Sequence, residues 1–306
     1  MKHLLLAVLA LLALPATASA QVRDETPRTV VMTAFEPEWD ALVPHIEQPK
    51  SYSKNGVTFL TGTLEGKPVV LMQSNVSMVN AAMNTQLVLD HFNVSRIVFS
   101  GIAGGIDPAL SIGDVVVPTD WAQYLEVSFA RETDKGWVVP EPVDEIAPPN
   151  YGMMFPRGVR VGNAAEPVQR HYTLKVDPDL VKLAGEVARK VTLKRCVEAT
   201  PRVPAACLEH EPKIVIGGTG VSAGVFADNA EFRDYLQRAW KANVLDMESA
   251  AVAQVAYANQ VPVIVFRSLS DLAGGDAGKN QMYTFMALAS INSADVVRAF
   301  VAALPN

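Results

Sequence analysis

Gly220-Val-Ser-Ala-Gly224 places Ser222 in the G-x-S-x-G spacing of a nucleophile elbow, just after an apolar, strand-like run at Lys213–Gly217. In that arrangement the histidine base follows the serine in the chain. Here all five histidines (3, 45, 91, 171 and 210) precede Ser222, so the serine has no base and a serine hydrolase is set aside. Gly218, Gly220 and Gly224 also give a G-x-G-x-x-x-G run that could cradle a pyrophosphate. The alternation of elements, however, starts near residue 28, where a dinucleotide fingerprint would sit and does not. These glycines are expected to form a backbone-lined pocket wall, with Val221 and Ser222 facing a ligand. The histidines show no H-x-x-x-H spacing, so no metal is expected; no organic cofactor is expected either. Asp271 is a more promising group. It lies just beyond the apolar run Val263–Phe266, at the carboxyl end of a strand, where open α/β sheets place their sites. Leu269 and Leu272 would shield it, raise its pKa and leave it a proton to donate.

Elements that could hold such groups alternate along the chain. Strands are expected at Arg28–Thr33, Val57–Leu64, Pro68–Ser74, Arg96–Ser100, Gly113–Pro118, Lys213–Gly217, Asn243–Leu245 and Val263–Phe266. Helices are expected from Pro37 to about His45, at Val79–His91, Leu180–Val191, Glu248–Asn259 and about Gln281–Ala303. Another helix should run from an Asp228/Glu231 capping box to about Trp240. Gly101-Ile-Ala-Gly-Gly105 reads as a glycine-rich turn. The pattern predicts an α/β fold: a mixed, largely parallel twisted sheet with helices on both faces. Residues from about 121 to 211, rich in proline and charge, read as an irregular insertion in a single domain spanning 21–306.

The chain has 306 residues, 49% hydrophobic and 19% charged, enough apolar surface for a large core. Its net charge of −6 and the lack of any basic run exclude a nucleic-acid groove. Lys2 and His3, the apolar run Leu4–Leu14 and the ending Ala18-Ser-Ala20 form the pattern of a signal peptide over residues 1–20. The mature protein should therefore be exported, periplasmic or secreted, with no stable membrane anchor. In an oxidising compartment the only two cysteines, Cys196 and Cys207, are expected to pair.

Three segments carry a resemblance when taken together. They are Ser100-Gly-Ile-Ala-Gly-Gly-Ile-Asp through Val117, Leu245-Asp-Met-Glu-Ser-Ala-Ala, and Val265-Phe-Arg-Ser-Leu-Ser-Asp-Leu. In this order they resemble the nucleoside phosphorylase/nucleosidase superfamily, most closely the methylthioadenosine/S-adenosylhomocysteine nucleosidases, over 28–118 and 213–303. The resemblance implies hydrolysis of the N-glycosidic bond of a small purine nucleoside or thionucleoside, and a homodimer. Asp271 would protonate the leaving purine. Glu38 would orient and deprotonate the attacking water, held ionised by the helix start after Pro37; Glu36, two residues away, is not separable from it by sequence. Glu248 would grip the ribose hydroxyls and favour a developing oxocarbenium, with Met247 against the sugar. Arg267 would pair with Glu38, and Ser100, Gly101 and Ser270 would face the same pocket. Two stretches depart from the family. Ser74-Asn-Val-Ser-Met-Val-Asn-Ala81 stands where Gly-x-Gly-Lys-Val-Asn-Ala is usual, and Val221-Ser-Ala223 stands where an aromatic stacks on the base. Stacking must then come from Phe226, Tyr151 or Phe155. Phosphate-dependent phosphorolysis and a non-catalytic nucleoside-binding or storage role are the alternatives; the absence of arginine from Val30–Glu38 and Ser74–Asn80 favours water.

Overall fold

Consecutive apolar residues at Val30–Met32, Val69–Met72, Ile97–Phe99 and Val263–Phe266 are buried on both faces, as strands are when helices cover a sheet on either side. A computed structural model describes residues 24–199 and 205–305. The leader assigned to residues 1–20 lies outside them. Twelve strands form one sheet. In chain order they are β1 (Asp24–Thr33), β2 (Glu47–Lys54), β3 (Val57–Leu64), β4 (Lys67–Gln73), β5 (Phe92–Gly105), β6 (Val115–Val117), β7 (Asp120–Gln123), β8 (Leu174–Lys175), β9 (Ile214–Ile216), β10 (Thr219–Ser222), β11 (Ala242–Asp246) and β12 (Val263–Asp271). The helices are α1 (Glu36–Leu42), α2 (Met78–His91), α3 (Pro178–Ala188), α4 (Ala230–Trp240), α5 (Ser249–Asn259) and α6 (Met282–Ala303).

The order across the sheet is β8-β7-β10-β11-β5-β1-β4-β3-β2, while β12 joins both β5 and β6, and β6 joins β9. The centre is parallel: β1 with β4 and β5, and β5 with β12. Antiparallel pairs lie toward the edges, β2 with β3 and β7 with β8, and β11 meets β5 in the same sense. α2 and α5 pack together over one face, and α1, α3 and α6 over the other. By length and composition α6 could cross a bilayer. Here Leu288, Val296, Val297 and Phe300 on it are buried under the sheet.

Four differences from the expected elements have physical causes. The polar strand β2 has one residue half-buried and the rest exposed, so it carries no hydrophobic period. The signal for it was Asn55-Gly56, both at positive φ, the turn that closes a two-residue hairpin. Gly101–Gly105 is not a turn; it continues β5, pairing with β12 and β11. Those glycines make room for side chains: a Cβ on Gly101 would lie 1.8 Å from Arg267 Nη1. The 121–211 segment is not wholly peripheral, because β7 and β8 extend the main sheet and α3 joins the second core layer. The rest is built from two-stranded ribbons, one of them Cys196–Val197 with Ala206–Cys207. There Cys196 and Cys207 are disulfide-bonded, and closing a loop of this size contributes about 3 kcal/mol in the chain-entropy view. Finally, Asn229 rather than Asp228 caps α4, accepting from the Phe232 N–H at 2.8 Å. Asp228 is turned to another partner.

Candidate active site

The carboxyl ends of β5, β11 and β12 converge with the start of α1 and the β4–α2 loop around a cavity of about 230 Å³. Glu38, Asp246, Glu248 and Asp271 lie on its walls, together with Met247 and Ser270. Phe35, Val76, Ile102, Phe226 and Met282 are among the larger apolar side chains lining it. No lysine, arginine or histidine lines it among the described residues.

Glu38 is 2% exposed. Its Oε2 accepts from the Ala34 N–H at 2.6 Å and its Oε1 from the Ile102 N–H at 2.8 Å. Burial pushes its pKa up, against the pull of Arg267 and these backbone donors. This corrects the expectation that the helix start sets its charge: α1 has only seven residues, and desolvation outweighs its dipole. Glu36 is exposed and lines a separate concavity with Trp39 and Asp40, so the two glutamates part company.

Glu248 accepts from the Ser77 N–H at 2.8 Å. Burial and the neighbouring Asp246 push its pKa up to about 8, against Arg267 and the Ser77 donor. The donor is presented by an unusual backbone: Ser77 sits at φ 85°, ψ 155° and Asn75 at φ 58°. The loop thus keeps a glycine-type conformation with Asn and Ser in the glycine places, at a cost in strain.

Arg267 is fully buried, and its closest ionic partner is not Glu38. Its Nε donates to Asp246 Oδ2 at 2.6 Å and its Nη2 to Ser249 Oγ at 2.7 Å, while the guanidinium lies 4.1 Å from the centre of the Phe99 ring. Nη1 stands 4.0 Å from Glu38 Oε1 with no hydrogen-bond partner. The expected Arg267–Glu38 pair is present as the looser contact, and the close, hydrogen-bonded ion pair is Arg267–Asp246. Asp246 also accepts from Ser222 Oγ at 2.5 Å, from Ser249 Oγ, and from the Glu248 and Ser249 N–H groups. The sequence reading passed over Asp246. Its signal was a carboxylate closing the apolar strand Asn243–Leu245, two residues before Glu248.

This network also relocates several expected ligand contacts. Ser222 does not reach the cavity: its hydroxyl donates to Asp246 and accepts from the Ala250 N–H, building the start of α5. Val221 is buried in a separate cluster with Tyr235, Leu236 and Trp240. Ser100 Oγ pairs with Ser293 Oγ on α6 at 2.9 Å, and the Gly101 N–H donates to the same Ser293 oxygen. Both lie behind the wall, and Gly101 leaves the space that the Arg267 guanidinium occupies. Val221, Ser222, Ser100, Gly101 and Arg267 thus support the cavity without lining it.

Asp271 is the last residue of β12 and 4% exposed. Its Oδ1 accepts from the Ala273 N–H and its Oδ2 from Ser270 Oγ, each at 2.9 Å. Burial raises its pKa and Asp276 adds to the rise, while these donors oppose it. Of the three aromatics considered for stacking, Phe226 lines the cavity. Tyr151 instead packs on Phe232 and Tyr235 with ring centres 5.1 and 5.0 Å apart, and Phe155 pairs with Ser128 in a ribbon.

A strand-end cavity of this kind, walled by several buried carboxylates and apolar side chains, can supply both an acid and a base to bond cleavage on a small ligand. Comparison with known proteins gives the class a family. The phosphorylase superfamily matches residues 28–302, and the chain belongs to it. It is 29% identical over 247 residues to the 5'-methylthioadenosine/S-adenosylhomocysteine nucleosidase of Halalkalibacterium halodurans, spanning 80% of this chain and 85% of that one. The enzyme of the same name from Bacillus thuringiensis is 27% identical over 253 residues, 82% and 88% of the two chains. Among solved structures, the Neisseria meningitidis 5'-methylthioadenosine/S-adenosylhomocysteine nucleosidase bound to methylthio-immucillin-A superposes with TM-score 0.66 at 23% identity, over 92% of this chain and 100% of that one. Futalosine hydrolase of Helicobacter pylori gives TM-score 0.66 at 20% identity, over 90% and 97%. These two likenesses concern the fold.

Proposed function

We propose that the protein hydrolyses the N-glycosidic bond of a purine nucleoside or thionucleoside, with Asp271 as acid and Glu38 as base. The observation that carries this reading is the set of buried carboxylates lining one cavity, with no lysine, arginine or histidine among its described lining residues. Asp271, its pKa raised by burial, gives its proton to the purine as the C1′–N9 bond breaks and the electron pair leaves with the base. Glu38, a stronger base for being buried, takes a proton from water as the water oxygen bonds to C1′. Glu248 holds the ribose hydroxyls, and its ionised form favours the oxocarbenium. Met247 and Phe226 supply apolar contact to sugar and base. Phosphate as nucleophile would bring further negative charge among four carboxylates, and the buried Arg267 guanidinium is already engaged by Asp246. The same argument turns away nucleotides.

The Ala18-Ser-Ala20 ending supports export to the periplasm or beyond. The apolar residues Val79 and Met83, 78% and 53% exposed one turn apart on α2, support a homodimer. The deciding experiment incubates the purified protein with methylthioadenosine, S-adenosylhomocysteine, adenosine and futalosine, with and without phosphate, and follows free base. Phosphate-independent release with a bell-shaped pH profile is expected, falling at least about a hundredfold in Asp271→Asn. Ribose 1-phosphate formed only with phosphate would make it a phosphorylase, and binding without release would make it a binding protein.

A further inference from the structure

Between the acid and the loop above the cavity stands a side chain that none of the roles above employs. Asn280 Nδ2 is 3.3 Å from Asp271 Oδ1 and 3.1 Å from Asp228 Oδ1, and Asn280 Oδ1 accepts from the Met282 N–H at 2.9 Å. Asp228 belongs to the segment that carries Val225, Phe226 and Ala227 onto the cavity wall, and Met282 lines the same cavity from the start of α6. One amide therefore touches the acid, the segment over the base and the helix start. The two loops meet elsewhere through backbone: Gly274, at φ 94°, lies so close to Asn229 that a Cβ would be 2.4 Å from its nitrogen, and the Asn229 N–H donates to Ala273 O at 3.3 Å. Asn280 is the side-chain tie from this junction to the carboxyl itself.

We propose that Asn280 is a positioning residue for Asp271, orienting the acid and stabilising the charge left on it as its proton departs, while its bond to Asp228 keeps Phe226 seated over the ligand. The proposal rests on Asp271 being the acid. An N–H aimed at a carboxylate oxygen favours the ionised form and gains strength as charge develops there. The charged groups around Asp271 are few. Asp276 in the same loop raises its pKa, Asp228 lies on the far side of Asn280, and Arg233 meets the loop at Gly275 while its Nε donates to Gly105 O. Asn280 thus separates two carboxylates that would otherwise face each other.

The test measures kcat, KM and the pH profile of base release for Asn280→Ala and Asn280→Asp, beside Asp271→Asn and the control Gln281→Ala. Among the described residues the Gln281 side-chain amide donates to Lys279 O alone, and its variant should match wild type. Asn280→Ala should lose about five- to tenfold in kcat/KM, the worth of one such hydrogen bond. The alkaline limb of its kcat/KM profile should move to higher pH, because the free carboxyl has lost a donor that lowered its pKa. Asn280→Asp should move that limb further and raise KM. An alkaline limb unmoved in both variants overturns the proposal, even if activity falls, because a merely structural residue would lower activity at every pH alike. If Asp271→Asn keeps wild-type turnover, the acid assignment itself fails, and the two failures are distinguished by that variant alone.

Discussion

Removing the carboxyl of Glu248 should stabilise the folded protein at alkaline pH while impairing it as a catalyst. Folding moves this group from an ordinary 4.5 to about 8, through burial and the nearby Asp246. A carboxyl raised in this way contributes stability that is fully present below about pH 4.5 and is lost as pH rises through about 8. At about 1.4 kcal/mol per pH unit, the full move is worth about 5 kcal/mol at most. Glu248→Gln fixes the neutral state and can still accept the Ser77 N–H bond. Its stability relative to wild type should therefore grow with pH and reach a plateau above about pH 9. For a domain of this size that is a rise in Tm of roughly 10 °C. Urea denaturation and thermal melts of both proteins at pH 4.5, 7 and 9 measure it directly, and the difference should vanish at the acid end. A variant less stable than wild type by the same amount at all three pH values would refute the reasoning. It would show that the carboxylate is held charged by Arg267, whose Nη2 lies 3.9 Å from Glu248 Oε2. The same variant should lose both substrate binding and turnover, since the proposed ribose contact would serve ground and transition states alike.

Two further outcomes follow from the geometry. Ser77→Gly should raise stability by about 1–3 kcal/mol in chemical denaturation, because glycine adopts φ 85° without the strain a side chain carries there. Gly101→Ala should destabilise by at least about 2 kcal/mol and depress turnover, because a Cβ 1.8 Å from Arg267 Nη1 and 2.5 Å from Glu38 Oε1 displaces a guanidinium that Asp246 pins; a melt and an initial-rate assay check both effects.

The alternation of apolar runs and helical spacing was enough to predict the layered sheet, because every central strand is apolar on both faces. Asp271 was legible for a similar reason: a carboxylate after an apolar run must sit at a strand end. Pairing the two cysteines of a chain with a signal-peptide pattern likewise needs no coordinates. Tertiary structure decided what depends on the approach of segments distant in the chain. Burial is a property of the whole fold, so a helix-start argument predicted the wrong direction for Glu38. Which carboxylate lies closest to Arg267 was settled by β11 and β12 both pairing with β5, which brings together residues twenty-one apart, and it fell to Asp246. Ser222 looked like a ligand contact from its glycine neighbours, yet β10 turns it beneath the floor toward Asp246. The glycines at 101–105 looked like a turn because composition reports freedom of φ, while here they answer to crowding from Arg267, Leu269 and Asp271. Sequence periodicity records which face of an element is buried; which charges then share that buried space depends on distances that only the folded chain sets.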